Sequence, residues 1–281
     1  MLLSTTKRET RDTVKEWIGK GLTIGFVPTM GYLHPGHRSL IEKARRENDK
    51  VVVSIFVNPI QFGPNEDFEK YPRDMEADTE MCRAAKVDLI FAPAVSEMYK
   101  TPNLSYVDIE KLGDGLCGAK RAGHFRGVCT VVSKLFNLVT PDRAYFGEKD
   151  FQQLAIIKRM VSDLEFDVEI IPCPIIREED GLAISSRNAY LSPAERRAAL
   201  VVSQSLSRAR EAIGRGERGA SVIKALVMNE LLQEPLARVD YVEVVDAAEL
   251  SPVAEIGGSV VVAVAVFIGK TRLIDNFYCE V

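Results

Sequence analysis

The chain is expected to fold as an α/β domain built on a mostly parallel sheet, followed by a smaller α+β domain. Three observations carry that expectation. Strand-like apolar runs alternate with amphipathic helical stretches from the start of the chain to Ile176. The run Val51 to Val57 is apolar almost throughout, as in a strand covered on both faces. After Ile176 the pattern changes to a polar connector, then helices, then strands.

The elements follow in order. Thr10 to Lys20 has helical spacing, with Val14, Trp17 and Ile18 on one face, and it stops at Gly19 and Gly21. Leu22 to Val27 reads as a strand, and residues 37–47 as a helix with Leu40, Ile41 and Ala44 inward. Val51 to Val57 is the next strand, and Asn58 to Pro72 a polar loop rich in Pro, Gly and Asn. Residues 73–86 suit a helix and Asp88 to Phe91 a short strand. Helices are expected over Val128 to Val139 and Phe151 to Ser162, flanking a strand at Ala144 to Phe146, with another strand at Phe166 to Ile171. Arg177 to Tyr190 is a polar connector. Ser192-Pro193-Ala194-Glu195 has the form of a capping box, and opens a long helix to about Ile213. A helix near Val222 to Leu232 and strands near Val239 to Val245 and Val260 to Phe267 complete the chain. The expected division is 1–176 for the larger domain and 177–281 for the smaller.

Composition narrows the function. The 281 residues carry a formal net charge of −4, which argues against a general nucleic-acid binder but leaves room for a local phosphate pocket. The longest apolar run, Val260 to Ile268, is too short for a membrane span, and Met1 to Asp12 is charged and lacks the apolar stretch of a secretory signal. Five scattered cysteines, odd in number and without C-x-x-C spacing, suit incidental thiols in a reducing cytoplasm.

Four segments carry the chemistry. Met30-Gly31-Tyr32-Leu33-His34-Pro35-Gly36-His37 lies between a strand and a helix, where free amides at a helix start favour an anion. Gly36 would let a ligand approach the backbone, and two imidazoles can donate to phosphate oxygens. A zinc site is the rival use of His34 and His37, but no Cys or suitable carboxylate completes the set; helix capping is the plainer one. The place between strand and helix favours phosphate. Asn58 and Gln61 follow a buried strand; they suit a small substrate with hydroxyls and a carboxylate, or serve as turn residues.

Gly147-Glu148-Lys149-Asp150 is the third segment, again between strand and helix. Gly147 allows close approach, Lys149 offers charge to phosphates, Asp150 can take ribose hydroxyls, and Gln153 lies one helical turn further on. A solvated charge cluster is the alternative. The fourth, Ile184-Ser185-Ser186-Arg187, sets two hydroxyls beside a guanidinium on a connector, as a phosphate clamp or merely a hydrophilic linker. Gly113 to Gly118 satisfies G-x-G-x-x-G, but Ala119 to Arg126 lacks helical apolar spacing, so the segment reads as a loop and NAD is not expected. No P-loop motif is present. His124, in Gly123-His124-Phe125-Arg126-Gly127, has two readings, a residue that helps shape the site and, ahead of it, a structural loop histidine.

In this order the four segments resemble the pantoate–β-alanine ligase family. The similarity covers nearly the whole chain, including VVVSIFVNPIQFGPNEDFEKYPRD, GHFRGVCTVV, FGEKDFQQL and DGLAISSRNAYLS. H-x-G-H alone marks only a broader nucleotidyltransferase-like superfamily. The resemblance implies a Rossmann-like N-terminal domain, a smaller C-terminal domain over the site, a homodimer and a Mg2+ requirement. It implies an ATP site along Met30 to His37, Gly147 to Asp150, Ile176 and Ile184 to Arg187, with His34, His37 and Lys149 on the phosphates and His37 as proton donor. It also implies pantoate at Gln61 and Gln153, and β-alanine arriving at Gln61; Asn58 joins the pantoate set from the reading of the residues. Many relatives have Met where this chain has Ile184. The reaction implied is activation of pantoate as an acyl adenylate, then capture by β-alanine. A nucleotidyltransferase for a phosphorylated substrate would want more positive charge, and a nucleotide-binding regulatory module would tolerate loss of His34, His37, Lys149 and Arg187.

Overall fold

The computed structural model describes residues 1–64, 66–100 and 102–281. Asn65, within the expected polar loop, lies outside them. In chain order the elements are β1 (Leu2–Ser4), α1 (Lys7–Gly19), β2 (Ile24–Thr29), α2 (Pro35–Glu47), β3 (Lys50–Ile55), α3 (Met75–Ala84), β4 (Leu89–Phe91), α4 (Val95–Met98), α5 (Leu116–Lys120) and α6 (His124–Val139). They continue with β5 (Arg143–Gly147), α7 (Phe151–Asp163), β6 (Glu169–Cys173), α8 (Pro193–Ala198), α9 (Leu200–Gly214), α10 (Ala220–Leu232), β7 (Ala237–Asp246), β8 (Ser259–Ile268) and β9 (Thr271–Glu280). The chain forms two compact units. One comprises Met1–Glu110, Arg121–Glu148 and Ile156–Pro174; the other Lys111–Lys120, Lys149–Ala155 and Ile175–Val281.

The first unit holds a parallel six-stranded sheet in the order β1-β4-β3-β2-β5-β6. Successive strands β2, β3 and β4 step one way across the sheet while β5 and β6 step the other. The strand order therefore reverses between β2 and β5, and in open α/β sheets that reversal marks where ligands bind. The segments leaving the two strands there are Met30–His37 and Gly147–Glu148. One face of the sheet packs Val27, Val51, Val53 and Ile90 against Leu40, Ile41 and Ala44 of α2. On the other, Phe26 meets Phe136 of α6 edge-on, with centroids 6.4 Å apart. The expected alternation and the inward residues of α2 are all present.

The second unit is built on an antiparallel sheet, β7-β8-β9, with α9 and α10 against it. Val260, Val262, Val264 and Val266 of the central strand share a core with Val202, Leu206, Ile223, Val227 and Leu231. The capping box forms: Ser192 Oγ accepts from the Glu195 amide at 3.3 Å, and the Ser192 amide donates to Glu195 Oε2 at 2.8 Å.

Several details differ from the sequence reading. The helix expected to run to Ile213 breaks at Ala199 into α8 and α9. The strand expected at Phe166 starts at Glu169, because the Phe166 amide closes the end of α7 on Val161 O at 3.0 Å and its ring packs on Phe136. Part of the expected loop after Gly115 is α5, a single helical turn. The short β1 and the polar strand β9 were not expected at all. Both lack an apolar run: β1 has three residues, and β9 buries Asp275 and Asn276.

Candidate active site

The junction between β2 and α2 is shaped by a buried carboxylate. Gly31 sits at φ +85°, and Tyr32 at +52° is held in a region that non-glycine residues seldom occupy. Asp78 of α3, buried to 2% exposure, compensates by accepting from the Tyr32 amide at 2.8 Å and the Leu33 amide at 2.6 Å. Burial pushes the Asp78 carboxyl above its ordinary value, against the pull of those two amides. A side chain on Gly31 would collide with Ile55 and approach Asp78 at 3.0 Å.

His34 is the N-cap of α2, Pro35 opens the helix and His37 stands at its third position. The two imidazoles lie 3.9 Å apart between centroids, tilted by 31°. His37 Nδ1 accepts the His34 amide at 3.3 Å, so a neutral His37 carries its proton on Nε2. A Cβ on Gly36 would fall 2.9 Å from His34 Cε1. Gly36 thus makes room for an imidazole on the first helical turn, where the sequence suggested room for a ligand.

Asn58 and Gln61 belong to a buried polar network around the short 3-10 turn Pro59–Gln61. Asn58 Nδ2 donates to Gln61 Oε1 at 2.9 Å and to Gly127 O at 3.1 Å, while Asn58 Oδ1 accepts from Tyr99 OH at 2.8 Å. Burial pushes the Tyr99 hydroxyl well above its ordinary range, so it stays a donor. Gln61 Nε2 points to Met30 Sδ at 3.3 Å, which links this turn to the β2–α2 junction. Asn58 is therefore a support behind Gln61 as well as a polar group in its own right.

After β5 the chain makes a 3-10 turn, Glu148–Asp150, and enters α7. Lys149 Nζ is 3.6 Å from Asp150 Oδ2. Gln152, next to Gln153 in sequence, is buried and holds backbone groups. Its Oε1 accepts from the Cys117 amide, and its Nε2 donates to Leu112 O and Gly115 O, all at 2.9 Å. The G-x-G-x-x-G decoy is thus a turn wrapped around one glutamine. Asn276 of β9 donates to Lys149 O at 2.9 Å. Ile176 O accepts from the Ile184 amide at 3.0 Å, closing a small hairpin. Arg177 braces that hairpin by reaching Asp275 at 2.7 and 2.9 Å and Gly181 O at 3.1 Å. Ser185 Oγ accepts from the Arg187 amide at 3.3 Å and caps the 3-10 turn Ser186–Tyr190.

All five cysteines are free, and burial pushes the Cys82 and Cys129 thiols to about 12 and Cys173 to about 11. Such thiols are poor nucleophiles. Among the described residues no group of three or more His, Cys, Asp or Glu is set to hold a metal ion, and no helix is long and apolar enough to cross a membrane. The supports that sequence reading missed are Asp78, Gln152, Arg177, Asp275 and Asn276. Asp78 had one legible sign: Cys82, four residues on, puts it on an inward helical face.

Known proteins resemble this chain over nearly its whole length. The family described as Pantoate-beta-alanine ligase matches residues 2–278. A protein named pantothenate synthetase from Clostridium acetobutylicum is 61% identical over 264 residues, 94% of each chain. One from Clostridium novyi is 60% identical over 269 residues, 96% of this chain and 95% of its own. The solved pantothenate synthetase of Thermus thermophilus superposes with a TM-score of 0.94 at 47% identity, covering 99% of both chains. The pantoate-β-alanine ligase of Francisella tularensis, solved with β-γ ATP and β-alanine, does so at 0.81 and 34%, covering 99% of this chain and 97% of its own.

Proposed function

The chain belongs to the pantoate–β-alanine ligase family, and from that premise we infer that it condenses (R)-pantoate with β-alanine, using ATP, to give pantothenate, AMP and pyrophosphate. It is a carbon–nitrogen bond-forming ligase with ATP as substrate. The observation that carries this conclusion is the family match over residues 2–278. The geometry adds a helix mouth furnished with imidazoles at the point where the strand order reverses.

A carboxylate is a poor acyl donor, so its oxygen is first activated. In the mechanism we assign, a pantoate carboxylate oxygen attacks the α-phosphorus of ATP. The bond from that phosphorus to the bridging oxygen breaks, and pyrophosphate leaves with the electron pair. The neutral amine of β-alanine then attacks the acyl carbon of pantoyl adenylate, AMP leaves, and the amine proton passes to solvent. Positioning and charge stabilisation carry such steps. His37, with its proton on Nε2, donates to the phosphates as charge builds, beside His34 and Lys149. Met30 to His37, Gly147 to Asp150, Ile176 and Ile184 to Arg187 line the ATP. Gln61, Gln153 and Asn58 hold pantoate, and Gln61 also meets β-alanine.

ATP would enter as its Mg2+ complex. Mg2+ keeps several waters and takes phosphate oxygens with few protein ligands, which fits a chain without a dedicated acidic cage among its described residues. We further propose a cytoplasmic homodimer without nucleic-acid or membrane partners. In it, residues 1–176 bind ATP and pantoate and residues 177–281 act as the lid.

ATP–pyrophosphate exchange tests the assignment. Exchange should require pantoate and no amine, and AMP should accumulate only once β-alanine is added. Exchange without pantoate, or ADP as product, would contradict it.

A further inference from the structure

We propose that His124 is a positioning residue for pantoate: a neutral imidazole, protonated on Nδ1, that fixes the Gln61 turn against α6. The proposal rests on the assignment of Gln61 to pantoate above. Within the turn the side chains of Asn58 and Gln61 bond at 2.9 Å, but the backbone is weakly closed. The turn's own backbone bonds, the Gln61 amide to Asn58 O and the Phe62 amide to Pro59 O, are long at 3.4 and 3.3 Å. The first turn of α6 supplies what is missing. Gly127 lies so close that an added Cβ would come 2.5 Å from Ile60 O and 2.6 Å from Gln61 Cα. Gly127 O takes Asn58 Nδ2 at 3.1 Å, and His124 Nδ1 stands 2.9 Å from Gln61 O. Of these two residues of α6, Gly127 acts through its backbone and His124 through its side chain.

Chemistry selects its protonation state. A carbonyl oxygen only accepts, so Nδ1 must carry the hydrogen toward Gln61. Arg121 Nη1, 2.8 Å from Nε2, only donates, so Nε2 must accept. A doubly protonated ring would set an N–H against the guanidinium. Arg121 cannot easily turn aside, because Glu66 grips its Nε at 2.7 Å and its Nη2 at 2.6 Å and leaves Nη1 for the ring. Glu66, Arg121 and His124 thus form a directed chain of hydrogen bonds that ends on the backbone of Gln61. The histidine in the G-H-F-R-G segment is a brace, and its tautomer is what lets it serve.

The test uses two isosteres. In the full-length enzyme, His124→Asn can place an amide N–H near Nδ1, whereas His124→Gln places its amide near Nε2. In ATP–pyrophosphate exchange, His124→Gln should raise the KM for pantoate about fivefold to tenfold, the scale of one lost hydrogen bond. The KM for ATP should stay within about twofold, and His124→Asn should recover most of the loss. Equal losses in both variants, or an unmoved pantoate KM, would overturn the proposal. Gln61→Ala separates this from the underlying assignment. If it leaves pantoate KM unchanged, the role of Gln61 fails; if it raises KM while His124→Gln does not, the role of His124 fails. Should the variants not fold, imidazole 15N spectra of the unmodified enzyme decide the matter. With three histidines in the chain, His124 is assigned by elimination using His34→Ala and His37→Ala. A ring protonated on Nδ1 alone at neutral pH is expected, and an Nε2–H tautomer or an imidazolium would overturn the proposal.

Discussion

The two strand-to-helix junctions carry similar motifs but are braced in different ways. After β2, the backbone bends through Gly31 and Tyr32 at positive φ, and an ionisable carboxylate, Asp78, gathers the Tyr32 and Leu33 amides. After β5, the 3-10 turn at Lys149 is held by the neutral carboxamide of Asn276, and α7 is anchored by that of Gln152. A strained turn with two amides to satisfy can justify a buried carboxyl, because its two oxygens accept one amide each, although burial outweighs those bonds and raises its pKa. An unstrained turn needs only amides. The first junction should therefore be stiffer, costlier to disturb and sensitive to pH, and the second should be none of these.

The largest effect is expected at the residues proposed to contact the ATP phosphates. His37→Ala and Lys149→Ala should each slow pantoate-dependent exchange about 10²- to 10³-fold, as loss of one preorganised donor does. Rates within about threefold of the parent would remove these groups from the assignment. Next, Asp78→Ala leaves two amides of a strained turn without their acceptor and should destabilise the fold by roughly 2–3 kcal/mol in urea unfolding. Asn276→Ala, at the other junction, should cost about 1 kcal/mol. If the two costs are equal, the contrast between carboxyl and carboxamide bracing fails.

The smallest effect is the most diagnostic. Because burial raises the Asp78 pKa in the folded chain, the native state binds its proton more tightly than the unfolded state. Its contribution to stability is fully present below the ordinary value of 3.8 and declines as pH rises through the folded value. The stability of the parent relative to Asp78→Asn should therefore fall with rising pH just above 3.8. For Asn276→Ala the difference should be flat over the same window. Urea midpoints across pH would show it, and parallel slopes would contradict it.

Much of the fold was legible because burial writes itself into apolar periodicity. Leu40, Ile41 and Ala44 face the sheet as their spacing requires, and Val260 to Val266 form the central strand of the small sheet. β9 was not legible, since Arg272, Asp275 and Asn276 interrupt any alternation, and their polar atoms find partners distant in sequence, at Asp240, Arg177 and Lys149. The same logic divides the site. Residues whose chemistry is recognisable from type and neighbours, such as His34, His37 and Lys149, stand out in one sequence. Those that act through a long-range hydrogen bond, such as Asp78 and His124, look like surface and loop residues until the fold brings their acceptors and donors to them.

The central claim is that this chain activates a carboxylate by joining it to the α-phosphate of ATP. Pantoate labelled with 18O in its carboxylate, turned over with ATP and β-alanine, tests that bond directly. One labelled oxygen should appear in AMP and none in pyrophosphate. Label in inorganic phosphate, or AMP free of label, would contradict the account.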